Sequence, residues 1–463
     1  MSQRVGKPVS VRRQQSPKPG DRVSGKTPKR TQRERLVEAM IELSAKGGYQ
    51  GVSIAQVSSR AGVSSATFYE QFEGKEDCML AAYRAVAERV FGQMQPVLLD
   101  GGDWSDAARA ALRRVLQAVQ SDPNAGRVLF IEALAGGPLI GEERARVLGE
   151  FERRAQDFLN SATKTGKTLD IPAAALVGAA RSIVSRRLRT NAEDELPTLV
   201  DDMMSWLESY AIPPTQARWS TGPGALLPVA SDPAPAPDAQ APARLPRGRH
   251  GLPAGVVARS QRTRIIYGTA EVMMAKGYAN TTVADIVAQA GVARDVFYEH
   301  FTDKQHAFLE AQQHPTQHIV DTCAAAFFSA EEWPERVWNS LDALIGLIAS
   351  NPAISHLRLI ECYAAGPAAI RRAEEITRSF TIFLEEGYGY RAQARELPRL
   401  CSEAIAGAIF AVIQRYIARG DAAALARHLP QLVYIAITPF VGAEEAIRQV
   451  GQIAAGDLAA RRS

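Results

Sequence analysis

"GVSSATFYEQFEGK" runs from Gly62 to Lys75, and "GVARDVFYEHFTDK" runs from Gly291 to Lys304. Both stretches contain glycine, valine, two phenylalanines, tyrosine, glutamate and lysine at the same spacing, and they differ in the four residues after the valine. When Gly48–Leu80 is aligned without gaps on Gly277–Leu309, 12 of the 33 positions are identical. About two identities are expected by chance at ordinary composition. This stretch is therefore written twice in the chain.

The repeat continues well beyond the two quoted stretches. Trp104 pairs with Trp333 at the same constant offset, and Glu132, Phe151 and Gly178 each have an identical partner at that offset. A whole domain of roughly 180 residues is therefore duplicated, which is much longer than a solenoid repeat. Between the copies, a segment rich in Pro and Ala predicts a linker at 212–258. A flexible linker of this length spans about 38 Å.

Both copies have the periodicity of helices. Leu36, Val37, Met40 and Ile41 recur on one helical face, and the corresponding segment near Ile265 does the same. No alternating run of apolar and polar residues indicates a sheet. The predicted fold class is all-α, with two units in series.

The quoted stretches have the features of two short helices joined by a tight turn. The hydroxyl of Ser53 can cap the helix that starts at Ile54, and Gly62 is suited to the left-handed conformation that ends it. Ser64 can then cap a second helix. Thr282 and Gly291 repeat the pattern in the second copy. Such a helix-turn-helix places its second helix in the major groove of DNA.

The glycine turn followed by Phe-Tyr-x-x-Phe-x-x-Lys, after a helix that ends in Gly-Tyr, resembles the DNA-binding region of the tetracycline-repressor (TetR/AcrR) family of transcriptional regulators. The resemblance covers 30–82 and 259–311. It implies two tandem units, each with a three-helix helix-turn-helix domain followed by a helical ligand-binding and dimerisation bundle. The predicted domains are a basic arm at 1–29, helix-turn-helix domains at 30–82 and 259–311, regulatory domains at 83–211 and 312–456, and the linker at 212–258.

The resemblance implies roles for side chains that both stretches share. Tyr69 and Tyr298 lie on the recognition helices, where a phenol can bond a phosphate or a base edge. Lys75 and Lys304 begin the following helix, where an ammonium and free backbone N–H groups can bind phosphate together. The four phenylalanines are predicted to be core, because aromatic spacing on a helix usually means packing. These are Phe68, Phe72, Phe297 and Phe301.

The residues that differ after the valine predict different base contacts. The first copy offers small groups with hydroxyls and methyls, and Arg294 in the second copy can bind guanine O6 and N7 with two hydrogen bonds. Asp295 is unusual on a surface that faces phosphates, and it either accepts from cytosine or orients Arg294. The predicted DNA-binding residues are Ser53, Ser64, Ser65, Ala66, Thr67, Tyr69, Gln71, Lys75, Thr282, Arg294, Asp295, Val296, Tyr298, His300 and Lys304.

These features predict a sequence-specific DNA-binding regulator, which by family default is a ligand-responsive repressor. We call each helix-turn-helix domain a reader. The two unlike readers are predicted to form an intramolecular pseudo-dimer on an asymmetric operator. Three alternatives stay open: a second helix-turn-helix that does not bind DNA in a chain that homodimerises, a sequence-indifferent DNA-binding protein, and an enzyme. The alternative of an enzyme has little support, since no catalytic triad, metal spacing or phosphate-binding glycine loop is present. The partners expected are double-stranded DNA and, by resemblance, a small-molecule inducer of unknown identity.

Charge and cysteine content are consistent with this interpretation. Residues 1–35 hold eleven Lys or Arg against two acids, in a chain whose formal net charge is only +4. A basic arm on a mildly acidic body suits contact with a polyanion, although a solvated tail has the same composition. The four cysteines show no metal spacing and no apolar leader is present, so we expect a cytoplasmic protein with buried thiols, no cofactor, no metal and no membrane association.

Two further expectations concern the regulatory domains. The apolar segments at 171–188 and 403–417, with those at 196–210 and 429–442, are candidates either for a seam between the copies or for the core of each copy. Small residues such as Gly178 and Gly407 allow helices to approach closely. A middle helix in each copy is a candidate for cavity lining, and its polar residues can equally be satisfied by neighbouring helices. Its candidate residues are Glu132, His356, Glu361, Cys362 and Tyr363.

Overall fold

The computed structural model describes residues 30–92, 104–161, 168–213, 215–217, 252–314 and 316–460. The basic arm predicted at 1–29 and most of the predicted linker lie outside these ranges. Nearly all described secondary structure is helical, which confirms the all-α prediction. Two strands of two residues each, Thr168–Leu169 and Ala211–Ile212, pair antiparallel with Thr168 opposite Ile212.

We call residues 30–211 the first repeat and residues 259–456 the second repeat. The described α-helices of the first repeat are Gln32–Gly47, Ile54–Ala61, Ser65–Gln71, Lys75–Phe91, Trp104–Ser121, Pro123–Phe130, Pro138–Ser161, Ala173–Arg189 and Val200–Glu208. Those of the second repeat and its approach are Ala254–Asn280, Val283–Ala290, Arg294–His300, Lys304–Gln313, Thr316–Phe327, Trp333–Ser350, Pro352–Leu359, Pro367–Ser379, Leu400–Ala418, Leu429–Val441 and Ala443–Ala460. Short 3-10 helices connect them at Tyr49–Gly51, Glu132–Ala135, Glu193–Leu199, Glu361–Tyr363, Phe380–Gly389, Ala392–Glu396 and Ala422–His428.

The first helix of the second repeat begins at Ala254, which lies inside the range 212–258 predicted as linker. Pro253 precedes it, and a proline fits this place because its fixed φ suits a helix start. The helix is interrupted at Gly277, where φ is 75°. Gly48 has φ 77° at the matching place of the first repeat. This shared positive φ explains why the repeat keeps a glycine before its tyrosine.

Helix Ala173–Arg189 of the first repeat packs along helix Leu400–Ala418 of the second. The two helices approach so closely that a Cβ added at Gly178 would overlap Cβ of Ala411. A Cβ added at Gly407 would lie 2.6 Å from Cβ of Ser182. The expected helix–helix seam between the copies is therefore present, and small residues permit it.

Polar contacts also join the two repeats. Glu403 accepts from Arg186 at 2.9 Å and from Arg187 at 3.2 Å. The buried hydroxyl of Tyr210 donates to the carbonyl of Ile435 at 2.8 Å. Arg415 pairs with Glu152 across the same boundary. These bonds fix the register of the seam, because each charged group has its partner in the other repeat.

The buried residues form two clusters. The larger one contains the first helix-turn-helix domain and the regulatory helices of both repeats. The smaller one contains the second helix-turn-helix domain together with residues near Ile354 and Leu357. The regulatory helices therefore share one core across the repeats, whereas the second helix-turn-helix domain packs on a core of its own.

One helix among the described residues, Leu400–Ala418, has the length and apolar character of a membrane span. Of this apolar stretch, 72% is buried inside the protein. Its hydrophobicity is accounted for by its central place in the shared core, where it packs against the helix from the first repeat.

Substitution of Gly178 tests the seam. We expect Gly178→Ala to cost about 1–3 kcal/mol through overpacking, because the new methyl group would overlap Ala411. Gly149→Ala is the matched control, since the Cβ would meet nothing within 4 Å and the helix gains about 1 kcal/mol in propensity. Chemical denaturation of both variants measures the difference. Equal stability of the two variants would contradict the close approach.

Candidate nucleic-acid interface

Both repeats form the predicted helix-turn-helix. Ser53 caps helix Ile54–Ala61 by accepting from the N–H of Gln56 at 3.3 Å, and Thr282 caps helix Val283–Ala290 by accepting from the N–H of Asp285 at 3.2 Å. Gly62 ends the first of these helices with φ 65° and ψ 42°, the left-handed conformation predicted for it. Gly291 does the same in the second repeat with φ 60° and ψ 42°.

A repeated arginine locks each turn. Arg35 donates from Nη1 to the carbonyl of Ala61 at 3.0 Å. Arg264, its counterpart in the second repeat, is buried and donates to the carbonyls of Ala290 and Gly291. Both guanidinium groups satisfy carbonyls that the end of a helix leaves without partners. Its sequence position groups Arg35 with the basic residues of 1–35, but in the structure Arg35 stabilises the turn inside the first helix-turn-helix domain.

The aromatic residues divide as predicted between core and surface. Phe68, Phe72, Phe297 and Phe301 are at most 2% exposed, which confirms that they are core. Tyr69 is 60% exposed and Tyr298 is 49% exposed, and each ring stands edge-on to the preceding phenylalanine. Both phenols are therefore free to reach a ligand outside the protein.

In the first repeat, recognition helix Ser65–Gln71 begins with a side-chain cap. Ser64 Oγ accepts from the N–H of Thr67 at 3.0 Å and lies 3.0 Å from Thr67 Oγ1. Ser65 and Ala66 are exposed, while Thr67 and Gln71 are half-buried. The hydroxyls of Ser64 and Thr67 are thus partly engaged with each other, and Ser65 and Ala66 form the open part of this surface.

The recognition helix of the second repeat, Arg294–His300, begins differently. Ala293 stands where the first repeat has Ser64, and it offers no side-chain cap. Asp295 Oδ1 instead accepts from the N–H of Val296 at 3.0 Å. The acid is therefore placed where the positive end of a helix favours a negative charge. The prediction that Asp295 contacts cytosine or orients Arg294 did not include this role.

Of the remaining predicted residues of the second recognition helix, Arg294 is exposed and two others are half-buried. The guanidinium of Arg294 lies 5.8 Å from the ring centre of Tyr298, one turn along the helix, and Arg294 has no ion-pair partner among the described residues. Val296 is half-buried. His300 is half-buried too, and its Nε2 is enclosed without a hydrogen-bond partner in the described part of the chain.

The two repeated lysines bind the protein's own backbone. Lys75 Nζ donates to the carbonyls of Tyr49 and Gln50, both at 3.3 Å, and lies 4.5 Å from the ring centre of Tyr49. Lys304 Nζ donates to the carbonyl of Tyr278 at 2.7 Å and lies 4.3 Å from that ring centre. Burial lowers the pKa of both ammonium groups. Since an ammonium has three donors, a phosphate contact stays a prediction for both lysines.

A repeated glutamate ties each helix-turn-helix domain to its regulatory domain. Glu132 Oε2 accepts from the N–H of Tyr49 at 2.8 Å, and Glu361 Oε2 accepts from the N–H of Tyr278 at 2.6 Å. The carbonyls of the same tyrosines accept from Lys75 and Lys304. Burial raises the pKa of both carboxyl groups. Glutamate, tyrosine backbone and lysine thus form one chain of contacts from the regulatory helices to the helix that follows the reader.

This arrangement corrects an expectation drawn from the sequence. Glu132 and Glu361 lie on 3-10 turns and face the DNA-binding domains, so the interpretation of a middle helix that lines a cavity is wrong for them. The local pattern gave no indication of their partners, which lie 83 residues away in the chain. Their recurrence at the repeat spacing was the one signal available. Of the other residues considered, Tyr363 does line a cleft.

Paired variants test the glutamate contact. We expect Glu132→Ala to cost about 1–3 kcal/mol, because it leaves the N–H of Tyr49 without its acceptor. Glu132→Gln keeps an acceptor and removes a buried charge, so it should be as stable as the wild type or more stable. Because burial raises the folded-state pKa, the wild type should lose stability relative to Glu132→Gln as the pH rises through that pKa. Chemical denaturation of the wild type and both variants across pH measures these stabilities. Equal losses of stability in Glu132→Ala and Glu132→Gln would contradict the role of Glu132 as the acceptor for the N–H of Tyr49.

The four cysteines are buried and form no disulfide, as predicted. Burial raises the pKa of each thiol to about 12; the residues are Cys78, Cys323, Cys362 and Cys401. Within the described ranges, no group of three or more His, Cys, Asp or Glu side chains is arranged to hold a metal ion. An apolar cavity of about 180 Å³ lies in the first repeat, and one of about 40 Å³ lies in the second.

Two helix-turn-helix domains with exposed recognition helices, each attached to a helical regulatory body, define a DNA-binding regulator. The family model "Bacterial regulatory proteins, tetR family" matches residues 36–82 and again 265–311. The chain therefore contains the DNA-binding domain of the TetR family twice.

Curated relatives agree with this assignment over part of the chain. The transcriptional repressor KstR of Mycolicibacterium smegmatis is 27% identical over 99 residues, which are 21% of this chain and 48% of that protein. The repressor KstR2 of Rhodococcus jostii is 22% identical over 151 residues, which are 33% of this chain and 71% of that protein. The activator FasR of Mycolicibacterium smegmatis is 24% identical over 119 residues, 26% of this chain and 54% of that protein. The chain thus spans about half the length of two of these three relatives, and they support DNA-binding transcriptional regulation.

Two solved structures align with part of the chain. The regulator FadR from Bacillus subtilis, in complex with stearoyl-CoA, matches with a TM-score of 0.35 and 15% identity. The match covers 37% of this chain and 96% of that chain. FadR from Bacillus halodurans matches with a TM-score of 0.36, 16% identity, and coverage of 39% and 95%.

Proposed function

We propose that this protein is a cytoplasmic, ligand-responsive repressor in which the two repeats act as an intramolecular pseudo-dimer on an operator with unlike halves. Family members place one recognition helix per subunit in one half-site. In this chain both readers belong to one molecule, and their sequences have diverged. The observation that carries the proposal is the presence of two complete helix-turn-helix domains with different residues on their exposed surfaces.

The divergence supports unlike half-sites. Position for position, Ser65 corresponds to Arg294 and Ala66 corresponds to Asp295. Serine and alanine suit adaptable hydrogen bonds and a thymine methyl group, whereas an arginine suits guanine. Two identical readers would need a palindrome, and two different readers remove that requirement.

The seam between the regulatory domains supports the pseudo-dimer. Helices Ala173–Arg189 and Leu400–Ala418 occupy matching places in the two repeats and pack on each other with their glycines facing inward. Bound side by side, two readers serve half-sites about 34–36 Å apart. The linker predicted between the repeats is long enough to permit this arrangement.

The cavities support ligand response with unequal repeats. The cavity of about 180 Å³ in the first repeat is lined mainly by apolar side chains, and its counterpart in the second repeat is about 40 Å³. A ligand that prefers one spacing of the recognition helices would shift the population toward that spacing. The glutamate–tyrosine–lysine contacts are the mechanical connection through which the regulatory domains would act on the readers.

A second candidate is a chain that binds DNA through its first reader only and homodimerises. Asp295 favours it, because an exposed acid on a recognition helix repels phosphate. Asp295 accepts a hydrogen bond from the N–H of Val296, so the acid has a structural role at the start of the helix, and its presence is weaker support for a reader that does not bind DNA.

Lys75→Ala probes the phosphate contact. We expect weaker binding to DNA of every sequence by a similar factor, with a salt dependence reduced by about one phosphate contact. Lys46→Ala is the control, because Lys46 is exposed and pairs with Glu42 on a different part of the surface. Fluorescence anisotropy at several salt concentrations measures both. A change confined to one sequence would contradict a phosphate role for Lys75.

Selection of binding sites from a random DNA library tests the proposed function. The proposal predicts one motif with two half-sites of different sequence in fixed orientation. A palindromic motif would favour a homodimer of identical readers. Enrichment of no motif would identify a sequence-indifferent DNA-binding protein.

A further inference from the structure

A cleft of about 470 Å³ lies between the two repeats. The first repeat contributes arginines from helix Ala173–Arg189, and the second contributes apolar residues that include Ala373 and Phe410. The cleft also contains carboxylates, among them Glu374, Glu385 and Glu403 of the second repeat, so its free positive charge depends on which arginines they pair with.

Several cleft arginines already have carboxylate partners. Glu403 binds Arg186 and Arg187, and Glu374 binds Arg189. Arg181 differs, since its Nη2 donates to the neutral amide oxygen of Gln414 at 3.2 Å and it has no ion pair in the described part of the chain.

A second arginine, Arg144 on helix Pro138–Ser161, lines neither the cleft nor the cavity, and its Nε is buried without a hydrogen-bond partner among the described residues. Burial first, and then repulsion from Arg181, lower the pKa of Arg144 to about 10, so Arg144 stays charged at neutral pH. The adjacent carboxylate of Glu143 is committed to Arg84 at 2.9 Å and Arg146 at 2.7 Å. Two neighbouring cations without a counter-charge are costly in a folded protein unless an anion joins them.

The arginine pair belongs to one repeat only. At the repeat offset, Arg144 aligns with Ala373 and Arg181 aligns with Phe410. A pair that served the shared fold would be expected in both repeats. Its absence from the second repeat indicates a role particular to the first.

Arg181 also lines the apolar cavity of about 180 Å³. Phe130 and Arg181 line both that cavity and the cleft. The other residues of the cavity are apolar, among them Phe151, Val184 and Trp206. A cation at the edge of an apolar cavity matches a molecule with a hydrocarbon chain and an anionic end.

We propose that the protein binds one amphipathic anion per chain, with its carboxylate or phosphate head group on Arg181 and its hydrocarbon chain in the cavity of the first repeat. The proposal deepens the ligand-responsive part of the proposed function and rests on it. Because the head group would lie between helices of the two repeats, its binding would bias how the repeats are positioned. Guanidinium groups bind both anions through charge-assisted hydrogen bonds.

Calorimetric titration of the full chain with decanoate, decyl phosphate and 1-decanol tests the proposal. We expect at least one of the anions to bind with a stoichiometry of one and at least about 10-fold more tightly than the alcohol, since only the anions use the Arg181 guanidinium. Preference between the two anions identifies the head group. Binding of neither anion, or equal binding of the alcohol, overturns the proposal.

Variants locate the site. Arg181→Gln should weaken anion binding at least about 10-fold and leave 1-decanol unchanged, while Arg181→Lys should retain part of the affinity. Arg153→Gln changes an exposed arginine that lines neither the cleft nor the apolar cavity, so it should bind as the wild type does. Thermal unfolding verifies that each variant is folded. Unchanged anion affinity in folded Arg181→Gln overturns the assignment, and since no DNA is present, this failure is distinct from failure of the operator proposal.

Discussion

Phe297→Ala is expected to remove the second reader from DNA while the first stays bound. Phe297 is fully buried and packs against Phe301 with ring centres 5.6 Å apart, so its truncation should cost about 3–5 kcal/mol. The loss should remain local, because the second helix-turn-helix domain packs on a buried cluster separate from the larger core. Hydrogen exchange should therefore show unfolding confined to residues 259–311 and to the residues near Ile354 and Leu357 that share their cluster.

The expected loss of DNA affinity follows from the covalent link between the two readers. Loss of one of two linked readers should lower operator affinity by at least about 100-fold, because the second contact no longer benefits from its high effective concentration. The protected region should shrink to one half-site. Phe68→Ala truncates the corresponding ring of the first reader, but Phe68 belongs to the larger shared core, so its effect should extend into the regulatory helices. If Phe297→Ala kept the full footprint and affinity, the second domain would not be a DNA reader.

Arg294→Ala should change base preference in one half-site only. A bidentate arginine–guanine contact contributes about 1–3 kcal/mol of discrimination, or roughly 5- to 150-fold. In the free protein the Arg294 guanidinium lies over Tyr298 and has no ion-pair partner within the described residues, so little must be broken before it reaches a base. Binding-site selection with the variant should therefore lose a guanine preference in the second half-site.

Two controls accompany this variant. Arg294→Lys keeps the charge and loses the bidentate geometry, so it should retain overall affinity and still lose discrimination. Ser65→Ala changes the matching position of the first repeat and should alter only the other half-site. Equal effects of Arg294→Ala on both half-sites would show that the two readers are not separately assigned.

Much of the helix-turn-helix was predictable because it is specified locally. The cap at Ser64, the left-handed turn at Gly62 and the buried Phe68 each depend on residues within a few positions, and the repeat presented each pattern twice. The exposed position of Tyr69 follows from the same helical period. Local rules therefore determined the element that carries the family resemblance.

Contacts between distant segments were not predictable in the same way. Nothing near Lys75 indicates that its ammonium binds the carbonyl of Tyr49, 26 residues earlier. The role of Asp295 depends on the loss of a cap at Ala293, which is visible only when the two repeats are compared at the level of hydrogen bonds. Arg144 and Arg181 belong to different helices and come together through helix packing, so no spacing in the sequence pointed to them.

The seam between the repeats was predictable only in part. Its segments were recognisable from their apolar period and their glycines, but the pattern alone suited a core within each copy equally well. The close approach at Gly178 and the ion pairs of Glu403 show that these segments pack between the repeats and not only within each copy.

The mass of the complex on a selected operator duplex tests the central claim most directly. Native mass spectrometry of the full chain with a duplex that contains both half-sites should give one chain per duplex at saturation. Phe297→Ala should still give one chain, with protection of the first half-site only. Two wild-type chains on one operator, each protecting one half-site, would contradict the intramolecular pseudo-dimer.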